Sequence, residues 1–199
     1  MTITPDILQR FSPNTHANLL PVVSDNFNLF SDKYEVNTPL RIASFFAQVI
    51  HESNAFKATT EYASGAEYEG RLSLGNNQKG DGMKFKGRGL IQVTGRNNYA
   101  AVSHYLYNDA YVLLDNPEKL AEYPGAMQSA FWYWTTRNLN KYADMGIEGK
   151  VHSTIRNKDY TPQEWVCLIV NGGFNGLSER INNYNRICDV LNLPHWKGL

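Results

Sequence analysis

The stretch from Pro39 to Glu52 constrains the fold more than any other part of the chain. Leu40, Ala43, Phe46, Ala47 and Ile50 recur at three- and four-residue steps, and Ile42, Phe45 and Val49 fill a second face. A helix that is apolar around most of its circumference has no side to offer water. It belongs inside a core, with other elements packed around it. Thr38-Pro39 opens this helix, and it runs out near His51-Glu52. The same cap-plus-proline pair recurs at Thr4-Pro5, Ser12-Pro13, Asn116-Pro117 and Thr161-Pro162. The Ser, Thr or Asn side chain accepts bonds from the free amides of a first turn, and proline fits the next position because its missing N–H would be unpaired there anyway. Each pair precedes a helix-compatible run, and further helices are predicted over about 97–107, 124–137, 162–170 and 177–191.

The segment from about 57 to 93 is different. It holds Gly65, Gly70, Gly75, Gly80, Gly82, Gly87 and Gly89 with little helical period, and it reads as loops with short strands. No period-two run is long enough for a sandwich or barrel. The expected class is mainly α, or α+β with a helical bundle and a small loop/β lobe at 57–93. With 199 residues, of which 42% are hydrophobic and 19% charged, a single globular domain over 1–199 is the expectation.

The formal net charge is zero, which gives no reason to expect attraction to nucleic acid or to an anionic membrane. Cys167 and Cys188 fall in helix-like apolar patterns and read as buried free thiols; a disulfide would need those helices side by side. The start MTITPDILQRF lacks a basic segment followed by a long apolar run, and no apolar stretch is long enough to span a bilayer. A monomer that stays in the cytoplasm until released is expected.

The residues that can carry chemistry begin with Glu52, where the buried helix ends. Glu61 lies nine residues on. On one straight helix that spacing turns by about 900° and rises about 13 Å, so the two carboxylates cooperate only if the chain bends between them. Ser53-Asn54 stop a helix and Thr59-Thr60 favour extended backbone, which permits the bend. Two carboxylates across a groove suit glycosidic hydrolysis, one donating a proton to the leaving oxygen and the other activating water or attacking the sugar. Glu67 and Glu69 compete for the second role, and spacing alone leaves the three open. In the block from Gly87 to Tyr99, Gln92 and Thr94 alternate with Ile91 and Val93, so a short strand would turn both to one side, with Asn98 and Tyr99 opening the next helix. Such a wall of amide, hydroxyl and phenol groups suits a neutral, hydroxyl-rich sugar. Asn171-Gly172-Gly173 reads as a helix C-terminal turn that leaves the Asn171 amide open to a ligand. The aromatic run from Phe131 to Trp134 reads mostly as core packing. No HExxH metal pattern is present, since position 55 is Ala, and no phosphate loop or GxSxG elbow occurs. Neither a metal nor an organic cofactor is expected.

The segment from Phe45 to Ser53, the block from Gly87 to Tyr99 and the block from Asn171 to Ile181 resemble, in that order, the family 19 glycoside hydrolases. These are the chitinases of plants and bacteria and the related endolysins of phages. The likeness runs from about Asn37 to Asn192. The segment from Tyr68 to Gly82 and the short step from Glu52 to Glu61 resemble the bacterial and phage branch, which favours Glu61 over Glu67 and Glu69. The resemblance implies a lysozyme-like, mostly helical fold with a groove between two lobes, and an inverting reaction. It implies Glu52 as general acid and Glu61 as general base. Thr94 would help hold the attacking water, Gln92, Asn98, Tyr99 and Asn171 would bind sugar, and Arg180 would orient the carboxylates. Three positions depart from the pattern: Asn54-Ala55 where two glycines are common, Asn175 where plant members carry a glutamate, and Lys79 where a proline is usual. The expected partner is a β-1,4 aminosugar polysaccharide. Peptidoglycan is placed ahead of chitin, as for a phage endolysin that a holin releases to the cell wall. The alternatives are a lytic transglycosylase or single-glutamate lysozyme, and a non-catalytic glycan-binding module.

Overall fold

A computed structural model describes residues 1–197. In chain order its helices are α1 (Pro5–Phe11), α2 (Leu20–Ser31), α3 (Pro39–Glu52), α4 (Asp81–Lys84), α5 (Arg96–Tyr107), α6 (Val112–Asp115), α7 (Gly125–Thr136), α8 (Leu139–Ala143), α9 (Pro162–Asn171) and α10 (Leu177–Leu191). Single 3-10 turns lie at Ala17–Leu19, Ala66–Tyr68, Leu72–Leu74 and Pro117–Leu120. Strands β1 (Val151–Ser153) and β2 (Lys158–Tyr160) pair antiparallel, with His152 opposite Asp159. The fold is mainly α, and the chain divides into two compact units: residues 1–51 with those from 134 onward, and residues 52–133.

In the first unit, α3 is buried as its pattern requires, with every residue from Ile42 to Ile50 inside. Phe46 meets Phe11 of α1 at 5.5 Å and Phe27 of α2 at 4.6 Å between ring centroids, and Phe45 meets Trp134 at 5.4 Å. Burying one such ring is worth roughly 1.5–3 kcal/mol. The polar residues that α3 carries inside are matched by polar residues of its neighbours. Ser44 accepts from Gln163 of α9 at 2.8 Å, and Gln48 accepts from Arg180 of α10 at 2.5 Å. A second aromatic group joins Tyr142, Tyr160, Trp165 and Phe174, and ties β2 to α9. Cys167 and Cys188 are buried and are not joined by a disulfide.

The cap signals are kept in part. Thr4 accepts from Ile7 N–H, Thr38 from Arg41 N–H, and Thr161 forms a full capping box with Glu164. Ser12-Pro13 opens no helix. The Ser12 carbonyl accepts from Thr15 N–H and the Ser12 hydroxyl from Thr15 Oγ1, which closes a turn, and α2 starts only at Leu20 with a different proline at its N-terminus. Asn116-Pro117 begins one 3-10 turn, because the Asn116 amide points back to Val112 O instead of capping. The short strands expected within 57–93 reduce to isolated bridges, Thr60 with Arg88 and Arg88 with Val93. Among the described residues the one hydrogen-bonded sheet is β1–β2, outside the segment where strands were expected.

The second unit begins with an unusual bend. Asn54, Ala55 and Phe56 have φ of 49°, 56° and 64°, three successive left-handed residues, the first two of them where glycines were expected to be common. The bend is fixed from within: Ser53 Oγ accepts from Phe56 N–H at 2.9 Å, Ala58 N–H donates to Ser53 O at 2.9 Å, and the Ala55 and Phe56 side chains are buried. Further on, Phe85 packs on Tyr99 at 5.2 Å, α5 packs on α6, and Leu90, Leu113, Leu120, Met127 and Phe131 are fully buried. Phe131, Trp132 and Trp134 of the aromatic run are all interior, as core packing requires.

The loops before α5 are tied by a partly buried ion pair. Arg96 donates through Nε to Asp81 Oδ2 at 2.9 Å and through a terminal nitrogen to Oδ1 at 2.5 Å, while Gln78 N–H donates to Oδ2. The Arg96 bonds hold the Asp81 carboxyl below its usual range, and burial opposes them. An acid whose folded value is depressed stabilises the protein above its unfolded value, about 4, and loses that contribution as pH falls through the folded value. Asp81→Asn is therefore expected to cost about 2 kcal/mol at pH 7. Denaturant unfolding at several pH values checks this, and the gap from wild type should narrow as the pH falls below about 4 and through the depressed folded value.

Candidate functional site

The second unit gathers Glu52, Glu61, Gln92, Thr94, Asn98 and Tyr99. Glu52 is the last residue of α3 and is half-buried. Glu61 follows the left-handed bend, and its backbone is fastened on two sides. Glu61 N–H donates to Gly87 O at 2.9 Å, and Lys86 Nζ donates to the carbonyls of Glu61 and Ala63 at 3.0 Å each. Its carboxylate is held at both oxygens. Tyr68 O–H donates to Oε1 at 3.0 Å and Gly87 N–H donates to Oε2 at 2.9 Å. Hydrogen bonds to an ionised acceptor are about twice as strong as neutral ones, so this pair fixes the rotation of the carboxylate.

Gly87 is where these groups converge. A Cβ placed there would lie 2.7 Å from Gln92 Oε1 and 3.1 Å from Glu61 Oε2. The missing side chain is what lets the Gln92 amide and the Glu61 carboxylate approach the same peptide. Gln92 is not in a strand. It has φ 55° and lies in the turn that joins Arg88 to Val93, with its Nε2 donating to Gly89 O at 3.0 Å. The expected alternation of Gln92 and Thr94 along a strand is thereby replaced by a direct link: Thr94 Oγ1 donates to Gln92 O at 3.0 Å, and Asn98 Nδ2 donates to Thr94 O at 2.7 Å. Gln92, Thr94 and Asn98 are all partly exposed.

Tyr99, expected to face the sugar, is 0% exposed and does not. Its hydroxyl donates to Lys86 O at 2.6 Å and accepts from Arg88 at 2.9 Å. Burial pushes this phenol up to about 12, against the opposing effect of Arg88. Lys86 O and Gly87 N–H belong to one peptide group. Tyr99 therefore polarises on one side the same peptide that donates to Glu61 on the other, and successive bonds of this kind strengthen one another.

The competing acids are accounted for differently. The Glu69 carboxylate accepts from Gly80 N–H at 2.7 Å and Gly82 N–H at 2.8 Å, which closes the start of α4. Glu67 is exposed. The other two expected site residues lie in the first unit. Asn171 ends α9, where Gly172 takes φ 72° and donates to Leu168 O as the helix-end turn requires, and Asn171 Nδ2 donates to Asn175 O at 3.4 Å. Arg180 is fully buried and reaches Gln48. Next to it on α10, Glu179 Oε2 lies 2.8 Å from His51 Nδ1, which fastens α10 to the last turn of α3. Sequence reasoning missed Tyr68, Lys86 and the Gly87 amide as the groups that hold Glu61.

The family model for class I chitinases, glycoside hydrolase family 19, matches residues 20–199. The chain belongs to this family. It is 33% identical over 121 residues to a glycosyl hydrolase family 19 domain-containing protein of Haemophilus influenzae, covering 60% of this chain and 49% of that one. It is 31% identical over 169 residues to the acidic 27 kDa endochitinase of Solanum lycopersicum, covering 76% and 64%. The chain thus spans about half to two thirds of the length of these curated relatives. Its fold is similar to the crystal structure of chitinase C from Streptomyces griseus, with TM-score 0.64 at 19% identity over 96% of this chain and 93% of that one.

Gly87 does not take a left-handed φ, but an alanine Cβ there would meet Gln92 Oε1 at 2.7 Å and the Glu61 Oε2 and Cβ at 3.1 and 3.3 Å. Gly87→Ala is expected to cost about 1–3 kcal/mol of stability. Thermal unfolding of the variant beside wild type checks this.

Proposed function

We propose that the chain is an inverting glycosidase that cuts β-1,4 bonds of N-acetylated aminosugar polymers. The observation that carries this reading is the Glu61 carboxylate, held at both oxygens beside the linked polar side chains of Gln92, Thr94 and Asn98. Glu52 donates its proton to the bridging oxygen as the bond from that oxygen to the anomeric carbon breaks. Water attacks the same carbon from the opposite face and gives a proton to Glu61. Thr94 already spends its own proton on Gln92 O, so its oxygen is left to accept the second hydrogen of that water. Each turnover leaves Glu52 ionised and Glu61 protonated, and exchange with solvent resets both. An inverting enzyme needs its carboxylates about 6.5–9.5 Å apart to leave room for the water.

The preferred polymer in this proposal is the peptidoglycan glycan, on the likeness of the segment from Tyr68 to Gly82 to the bacterial and phage branch, which includes the phage endolysins. Chitin is the second reading, favoured by relatives named as endochitinases. Reducing-end release from purified peptidoglycan and from chitin oligomers, with product anomers read by NMR, separates the two. The α-anomer should form first. Products lacking the mass of one water would instead mark a lytic transglycosylase, and binding without reducing ends a non-catalytic module. Glu52→Gln should lower turnover by about 10²–10⁴ with the fold intact, as measured by initial rates and circular dichroism. Thr94→Val should slow hydrolysis with a smaller effect on oligosaccharide binding, checked by comparing initial rates with calorimetric titration.

A further inference from the structure

The two donors on Glu61 are built differently. The Gly87 amide comes with a backbone that Tyr99 and Arg88 already hold. The Tyr68 hydroxyl comes from a side chain on the 3-10 turn Ala66–Tyr68, and that turn has its own fastenings. Tyr68 N–H donates to Gly65 O at 3.0 Å, Asn76 Nδ2 donates to Tyr68 O at 2.8 Å, and the Arg71 guanidinium lies over the Tyr68 ring at 5.2 Å. The phenol is aimed by the loop and does not merely rest against the acid. A carboxylate has about four acceptor positions, and one on each oxygen is taken here. The remaining ones are thereby turned to fixed directions.

We propose that Tyr68 is a positioning residue for the hydrolysis, fixing the orientation of the Glu61 carboxylate. This rests on the reading of Glu61 as the general base. The phenol stays a donor throughout, because burial first and the bond to Glu61 second push its own ionisation upward. The charged and titratable groups that bear on this pair are Glu67 and Arg71 beside Tyr68, Lys86 at the Glu61 carbonyl, Arg88 on the bridged segment, and Tyr99 behind the Lys86–Gly87 peptide. None of these supplies a second side-chain donor to Oε1 in place of the phenol.

The test compares this chain with its Tyr68→Phe and Glu61→Gln variants, using a soluble N-acetylglucosamine hexamer and purified peptidoglycan. Tyr68→Phe is expected to lower kcat by roughly tenfold with KM little changed, since positioning contributes part of the effect of the base. Replacement of Tyr68 alone by 3-fluorotyrosine, which keeps the donor on a nearly isosteric ring, should hold kcat near wild type and serves as the second variant should Tyr68→Phe not fold. A Tyr68→Phe enzyme with wild-type kcat beside an inactive Glu61→Gln overturns the inference and leaves the base standing. So does a loss of rate that follows loss of thermal stability, or one that falls on KM with kcat unchanged. Wild-type turnover by Glu61→Gln overturns the base assignment and this inference with it.

Discussion

A helix without a wettable face needs partners on every side, and α3 is such a helix. Phe11, Phe27 and Trp134 surround its two phenylalanines, and two of the oxygens it takes inside, Ser44 Oγ and Gln48 Oε1, accept from Gln163 and Arg180. An unpaired buried amide costs as much as a well-packed ring contributes, so these polar matches are as necessary as the aromatic ones. They also make the sequence of α3 specify which helices lie beside it. Gln48 calls for a buried donor, and Arg180 on α10 brings one. The end of the same helix carries Glu52, so the packing that buries α3 also settles where that acid begins.

The second unit solves a different problem with far less regular structure. It must hold a carboxylate still within a loop-rich region, and it does so through one peptide group. The Lys86–Gly87 peptide takes the Tyr99 hydroxyl on its oxygen and presents its N–H to Glu61. Arg88 completes the line by donating to Tyr99. A buried arginine, a buried tyrosine and a glycine without room for a side chain thus act as one unit. Three apparently ordinary members of a loop motif acquire a joint purpose that none shows alone.

Much of this was legible in the residues. The apolar period of α3, the late helices and the capping of α9 by Thr161 follow from local rules, because helical period and cap chemistry act over a few neighbouring residues. The fate of Tyr99 was legible too and was read differently. Tyr99, Val102 and Ser103 share the buried face of α5 at three- and four-residue steps, so the phenol had to point inward. Gln92 was harder. Ile91 and Val93 suggest alternation, but Gln92 sits at φ 55° in a turn closed by the Arg88–Val93 bridge, and nothing in four residues announces that closure. The Tyr68 contact carries no local signal at all, since it depends on a 3-10 turn within an irregular loop. The β1–β2 pair, at three residues a strand, is too short for period two to register.

The left-handed run at Asn54, Ala55 and Phe56 has one more consequence. Glycine would reach those angles easily and would reach many others as well, making the corner after Glu52 a joint with play in it. Residues bearing a Cβ have only a narrow well in that region, at an intrinsic cost of roughly 1–2 kcal/mol each. Once the buried Phe56 ring and the Ser53 hydroxyl hold them there, they have little room to wander. The corner is therefore a stiff bracket, and the path from the first acid toward the second is set during folding rather than searched for at each encounter with a ligand.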